Sequence, residues 1–298
     1  MSKIYDALKK LEAERHGHAR NGGHGGNGHG GNGHGGNGHG GNGHGGNGDG
    51  NGNGGGDGNG RRRGWQWLLR SARRNGHTRQ AVSFELGPEV EEAYQRLGTN
   101  LLVAPGSEAG QPPRLLGVTG SRHGEGTTTT AAVFASILVR RRGGRVAVVE
   151  ANFRSPSFET AFNIRRAGGF ADLILGQKPL VEVAQPTDIP NLFAVGCGQA
   201  TQGPSTLFDS PGLAGALEQL RTQFDFVIFD LPPVNVYSDA SILCPRLDAT
   251  VIVIEADATR MSEVERTRRS LERVGVRLVG SVLNRRRNYI PAFIEEML

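Results

Sequence analysis

The sequence predicts an α/β protein with a doubly wound, mostly parallel sheet, and three observations predict it. Short apolar runs alternate with helical patterns from about residue 114 to 283, the rhythm of buried parallel strands joined by crossover helices. A Gly-rich turn, Gly120-Ser121-Arg122-His123-Gly124-Glu125-Gly126-Thr127-Thr128, lies between an apolar strand, Leu115-Leu116-Gly117-Val118, and an apolar helical run opening at Ala131. An apolar strand over 226–229 ends in Asp230, which brings a carboxylate to the carboxyl ends of the strands, where ligands of such sheets bind.

Strand, Gly-rich turn and helix form the context that a phosphate-binding loop requires. Glycines let backbone N–H groups converge on a phosphate, and the helix N-terminus adds partial positive charge. A Walker A loop ends Gly-Lys-Ser/Thr, whereas this one ends Gly126-Thr127-Thr128. The hydroxyl that holds Mg²⁺ is present at Thr128; the lysine that reaches the β- and γ-phosphates is absent. The competing reading is a Gly-rich turn with no ligand.

Composition bounds the rest. Of 298 residues, 47 are Gly, concentrated in one early tract. Roughly 200 residues remain outside it, enough for one well-buried domain. The net charge of +5 comes with arginine-rich patches, which suit an anionic membrane surface as well as nucleic acid. The two cysteines, Cys197 and Cys244, sit in apolar runs without metal-ligand spacing and read as buried free thiols. No apolar run reaches transmembrane length and no signal-peptide pattern opens the chain. The expectation is a soluble or peripherally attached protein, in the cytoplasm or at the inner face of the cell membrane.

Residues 1–15 read as a short amphipathic helix, with Ile4, Ala7, Leu8 and Leu11 on one face. Such a length is marginal alone, so it either docks on a partner or is a stub. Residues 16–60 are low in complexity: His-Gly-Gly-Asn-Gly repeats from His24, His29, His34, His39 and His44. With nothing apolar to bury, this tract is expected to be a disordered tether with a reach on the order of 40 Å. Metal chelation by the histidines is the alternative. Residues 61–80 change character. Arg61, Arg62, Arg63, Arg70, Arg73, Arg74 and Arg79 surround Trp65, Trp67, Leu68 and Leu69 with no acidic residue among them. Cations beside Trp and Leu suit a lipid headgroup interface, and a solvated basic linker is the alternative. No nucleic-acid reading motif is present, so no nucleic acid is expected.

The folded domain is expected over 85–298. Val90, Ala93, Tyr94, Leu97 and Leu101 have helical spacing over 88–102. After a linker at 105–113, strands are expected at 114–119, 145–149, 191–195, 226–229, 249–254 and 277–283. Helices are expected from the loop to about 142, and at 171–175, 213–224 and 261–274. Pro232-Pro233 forces a turn, and Ser238-Asp239 suits the cap of a short helix from Ala240.

Beyond these patterns, the residues carry a family resemblance. The loop is followed by Val148-Val149-Glu150-Ala151-Asn152-Phe153-Arg154-Ser155-Pro156, then Gly169-Phe170-Ala171-Asp172-Leu173-Ile174-Leu175-Gly176. Thr187-Asp188-Ile189-Pro190-Asn191-Leu192-Phe193-Ala194, Pro204-Ser205, Phe226-Val227-Ile228-Phe229-Asp230-Leu231-Pro232-Pro233, Ser238-Asp239-Ala240 and Val282-Leu283-Asn284 come in the same order. The opening Met1-Ser2-Lys3-Ile4-Tyr5-Asp6-Ala7-Leu8 is similar to some members as well. Over roughly 85–290 the chain resembles the cytoplasmic domain of the bacterial tyrosine kinases of capsule and exopolysaccharide assembly, a branch of the MinD/ParA-type P-loop proteins. The resemblance implies a P-loop NTPase fold. It implies a nucleotide site at Ser121, Arg122, Gly124, Glu125, Gly126, Thr127, Thr128, Thr129, Arg154 and Asn284, with Mg²⁺ on Thr128 and Asp230. Glu150 and Asp230 are the implied catalytic carboxylates. The implied partners are a polysaccharide co-polymerase membrane protein or a related tyrosine kinase.

The departures from the family pattern shape the functional expectation. Thr127 stands where the family has Lys. Glu150 and Asn152 stand for two Asp of a DxDxR motif. Gln95 and Gly98 replace both arginines of an ExxRxxR helix motif, and after Asn284 only Tyr289 remains of a tyrosine cluster. P-loop phosphoryl transfer depends on positioning and charge, and one lost preorganised charge costs on the order of 3 kcal/mol. The extra methylene of Glu150 displaces its carboxylate by about 1 Å, and Asn152 cannot act as a base. Weak or absent binding of ATP and Mg²⁺ is therefore expected, with the chain serving as a regulatory or docking partner. The alternatives are an active autokinase, with Arg122 or Arg154 standing in for the lysine, and a MinD/ParA-like positioning ATPase.

Overall fold

The computed structural model describes residues 88–103, 112–165, 167–200 and 202–286. The amphipathic start, the His-Gly repeats, the tryptophan-containing basic segment and Tyr289 lie outside the described residues. In chain order come α1 (Pro88–Val103), β1 (Leu115–Gly120), α2 (Thr127–Arg142), β2 (Val146–Glu150), α3 (Phe158–Ala161), α4 (Phe170–Ile174) and α5 (Leu180–Val183). Then follow β3 (Gln185–Pro186), β4 (Leu192–Val195), α6 (Pro204–Phe208), α7 (Gly212–Gln223), β5 (Phe226–Asp230), α8 (Asp239–Leu243), β6 (Ala249–Glu255), α9 (Met261–Arg273) and β7 (Leu278–Asn284).

The sheet has the order β3-β4-β2-β5-β1-β6-β7. Every pairing is parallel except β3 with β4 at one edge. The doubly wound expectation therefore holds, with one short antiparallel strand added. The alternation along the strands explains their unbroken apolar runs. Val146 and Val148 of β2 and Ile228 of β5 join the core on one face. Ala147, Val149, Val227 and Phe229 join the core on the other. Both faces are covered, so neither set of positions needs to be polar.

Helix α2 is buried from Ala131 through Val139 because it packs against β1, β2 and β5 as well as against α1. Tyr94 stacks on Phe134 with ring centroids 6.4 Å apart, and Gly98 faces Phe134 and Leu138. Gly98, one of the positions where the family pattern has arginine, is thus buried between helices. Gln95, at the other, bonds Glu91 one turn back.

The expected strands and long helices appear within two residues of their sequence bounds. The helices α3, α5 and α6 and the strand β3 were not expected; each spans five residues or fewer, too short for a periodic signal. The expected cap at Ser238 takes a different form. Ser238 precedes α8 without a side-chain capping bond, and the Asp239 carboxylate is held by Arg154 and Ser205 instead. Cys197 and Cys244 are buried and free, as expected.

Candidate functional site

Strands β1, β2 and β5 end side by side, and their carboxyl ends carry the loop, Glu150 and Asp230. Register fixes this: Val118 lies beside Asp230, and Glu150 lies beside Asp230 from the other side. The loop leaves β1 at Gly120 and turns through Gly124 at φ 87° and Gly126 at φ 86°. Only glycine adopts that left-handed backbone without strain. Gly126 caps α2, whose first N–H groups have no intrahelical acceptor and open toward the loop.

Inside the loop sits a carboxylate. Glu125 is 1% exposed and accepts from the amides of Ser121 and Arg122 and from the hydroxyl of Thr259. A Cβ on Gly120 would come within 2.3 Å of that carboxylate, so the loop closes around it only because residue 120 is Gly. From the β7 end, Asn284 Nδ2 donates to the Glu125 carbonyl across 2.9 Å. Thr267 of α9 is in hydrogen-bond contact with the Ser121 hydroxyl at 2.8 Å. The turn is therefore braced by the segment after β6, by α9 and by β7.

At the start of α2, Thr128 Oγ1 donates to Asp230 Oδ2 across 2.7 Å, in a buried bond. Thr127, beside it, presents a half-buried hydroxyl where a lysine would reach a phosphate. Asn152 is 4% exposed, and its Oδ1 is a buried acceptor without a hydrogen-bond partner. A buried orphan acceptor two residues beyond the end of β2, with the Thr128–Asp230 pair and the left-handed turn, fits a hydrated magnesium ion bound with a phosphate. The same set offers no ammonium to a terminal phosphate.

Glu150 is directed elsewhere. Its carboxylate accepts from the amides of Ser157 and Phe158, which open α3, and from Cys197 across 3.2 Å. Burial raises its pKa, and the three amides pull it partly back. Arg154 is engaged as well: its guanidinium makes a fork on Asp239 at 2.9 and 3.2 Å and lies 4.9 Å over the Tyr237 ring. The bond to Asp239 raises the Arg154 pKa. Tyr237 in turn meets the His123 ring edge-on at 5.5 Å, joining this cluster to the loop. Burial, and then Glu150, pushes the Cys197 thiol far up, and burial pushes Cys244 up to about 12, so neither is a thiolate nucleophile.

Residues 114–282 match the family of the cellulose biosynthesis protein BcsQ. The chain belongs to the BcsQ family. Among relatives, the tyrosine-protein kinase CpsD of Streptococcus pneumoniae serotype 4 is 28% identical over 198 residues, 66% of this chain and 85% of that protein. Among solved structures, the chimerical protein CapA2B2 superposes with a TM-score of 0.62 at 27% identity, covering 68% of this chain and 87% of that one. The kinase domain of VpsO gives 0.59 at 26%, covering 67% and 96%. This BcsQ-family chain is thus a tyrosine-kinase-type domain of the MinD/ParA P-loop superfamily, as the ordered motifs implied.

In this BcsQ-family domain the fold gathers Ser121 through Thr129, Asp230 and Asn284 at one end of the sheet. Glu150 and Arg154 stand at the same end, each already committed to a protein partner. Sequence reasoning missed Thr259, Glu255 and Arg285, which brace the loop mouth. Thr259 and Glu255 bracket the end of β6 in Glu255-Ala256-Asp257-Ala258-Thr259, and a polar cluster leaving a buried strand was the available signal.

Proposed function

We propose that this chain is a P-loop tyrosine-kinase-like protein of exopolysaccharide or capsule biosynthesis whose phosphoryl-transfer chemistry is impaired, and that it acts as a regulatory or docking partner. The observation that carries this reading is the commitment of the residues around the loop. Thr127 brings a hydroxyl in place of an ammonium, Glu150 caps α3, and Arg154 is forked onto Asp239. Magnesium, when bound with a nucleotide, would neutralise phosphate charge, and Thr128 and Asp230 are the residues to hold it. Asn284 and the turn through Gly124 and Gly126 would position the nucleotide.

The partner on this reading is a polysaccharide co-polymerase membrane protein or an active tyrosine kinase of the same family. The basic segment rich in Arg and Trp and the amphipathic start would tether the chain at the inner face of the membrane. Among the described residues no helix is long and apolar enough to cross a membrane.

The intact Thr128–Asp230 pair favours a second reading, an autokinase that uses a displaced cation. Incubation of the full-length chain with ATP and magnesium, followed by a phosphotyrosine blot, decides between the two. The impaired reading expects no label above background. Strong tyrosine autophosphorylation overturns it.

A further inference from the structure

The loop mouth carries positive charge from outside the loop. Arg285 Nη1 donates to the Gly124 carbonyl and to Glu255 Oε1, each across 2.8 Å. Arg122 Nη2 donates to Glu255 Oε2 across 3.2 Å. One carboxylate at the end of β6 therefore bridges two guanidiniums at the mouth of the turn, while the other carboxylate there, Glu125, is buried and taken up by backbone amides and the Thr259 hydroxyl. The Arg122 Nε is buried and has no hydrogen-bond partner.

The backbone supports the arrangement. Arg285 has φ 57°, a left-handed conformation that a long side chain rarely adopts. Its amide is held by Asn284 Oδ1 at 2.9 Å, while the Asn284 amide group holds the Glu125 carbonyl. A strained residue kept in place by bonds on both sides sits where structure over-determines it, a common mark of ligand sites. Guanidinium groups suit phosphate by charge and by donor geometry.

We infer that Arg122 and Arg285, held together by Glu255, supply the phosphate-binding charge that Thr127 does not, with the phosphates of a magnesium-bound nucleoside triphosphate as the ligand class. The inference rests on the nucleotide-site reading of the loop. Glu255 is the counter-ion in the free protein, and the incoming phosphate competes with it for both guanidiniums. Its carboxylate and the phosphate repel, so the bridge restrains affinity while keeping the arginines in place.

The test is isothermal titration of the full-length chain with ATP and magnesium, with thermal melts to show that each variant is folded. Arg122→Gln and Arg285→Gln are each expected to weaken binding about tenfold. Arg285→Lys keeps the charge and is expected to lose less affinity than Arg285→Gln, because the bonds to Gly124 and Glu255 both use Nη1, a single nitrogen that an ammonium can replace. Glu255→Gln is expected to tighten binding several-fold. Affinities unchanged in both arginine variants overturn the inference and leave the nucleotide site standing. Weaker binding in Glu255→Gln assigns the cluster to bracing the loop and overturns it too. A parent chain that binds no ATP at millimolar concentration overturns the nucleotide reading and this inference together.

Discussion

Thr128 Oγ1 donates to Asp230 Oδ2 across 2.7 Å, joining the first turn of α2 to the end of β5 over 102 residues of sequence. Both side chains are buried, so this charge-assisted bond is shielded from water and contributes about 2 kcal/mol. Thr128→Val is close in volume and removes only the donor. It is expected to lower unfolding stability by about 2 kcal/mol in urea titration and to abolish any magnesium dependence of nucleotide binding. A variant as stable as the parent would show that the bond adds nothing to the fold.

The missing ammonium makes the most direct prediction. Thr127 begins α2 beside the turn and is half-buried. Thr127→Lys restores the charge without touching the core. A hydrogen bond between charged partners is worth about 1.5–3 kcal/mol, so ATP affinity is expected to rise about tenfold or more in calorimetry. An unchanged affinity would mean that the site carries no charge deficit at position 127, as when Arg122 and Arg285 already supply that charge.

The carboxylate inside the loop behaves as part of the fold. Glu125→Ala leaves the amides of Ser121 and Arg122 and the Thr259 hydroxyl without their acceptor. Orphaned buried donors cost about 1–3 kcal/mol each, less where water enters the space vacated. A loss of about 3 kcal/mol is expected in chemical denaturation. A loss below about 1 kcal/mol would mean that the loop rearranges freely and is not braced.

The sheet and the loop were legible because each is written in local sequence. Val146 to Val149 and Val227 to Phe229 are contiguous apolar runs, and Gly124 and Gly126, two residues apart, mark a turn before an apolar helix. The commitments of the site residues were not legible. Glu150 caps a helix of four residues that has no periodic signal, and its third partner, Cys197, lies 47 residues away. Arg154 meets Asp239 across 85 residues, and Ser238, which reads as a cap, proves to be a neighbour of Ser205. Such pairs depend on which strand ends the crossovers bring together, and no spacing in the chain records that. Glu255 falls just past the strand expected over 249–254, and only the pairing with β7 sets Asn284 beside it.

Glu150 gives a pH signature. Burial raises its pKa above the ordinary 4.5. Below that value the carboxyl is protonated in both the folded and unfolded chain. As pH rises past it, the unfolded chain releases a proton that the fold still holds, so stability falls with pH until the folded group has also ionised. Glu150→Gln removes this slope. The stability of the variant relative to the parent is therefore expected to increase with pH from about 4.5 upward and then level off, in urea denaturation repeated across pH 4 to 8. A relative stability that is flat, or that declines with pH, would contradict the raised pKa.

The Arg154–Asp239 pair is asymmetric, and its two halves are expected to fail differently. Asp239 is fully buried, whereas the Arg154 side chain is 37% exposed. Arg154→Ala leaves a buried carboxylate with the Ser205 hydroxyl as its remaining side-chain donor at 2.8 Å. An uncompensated buried charge costs about 3 kcal/mol or more. Asp239→Asn removes the charge instead, and the freed guanidinium turns to water, at a cost of about 1 kcal/mol. The double variant is then expected to be more stable than Arg154→Ala alone, since neutralising residue 239 removes the charge that the first change stranded. Urea denaturation of the three variants reads the order directly. If Asp239→Asn proved the more damaging single change, the pair would owe its contribution to the arginine stacked on Tyr237 and not to shielding a buried carboxylate.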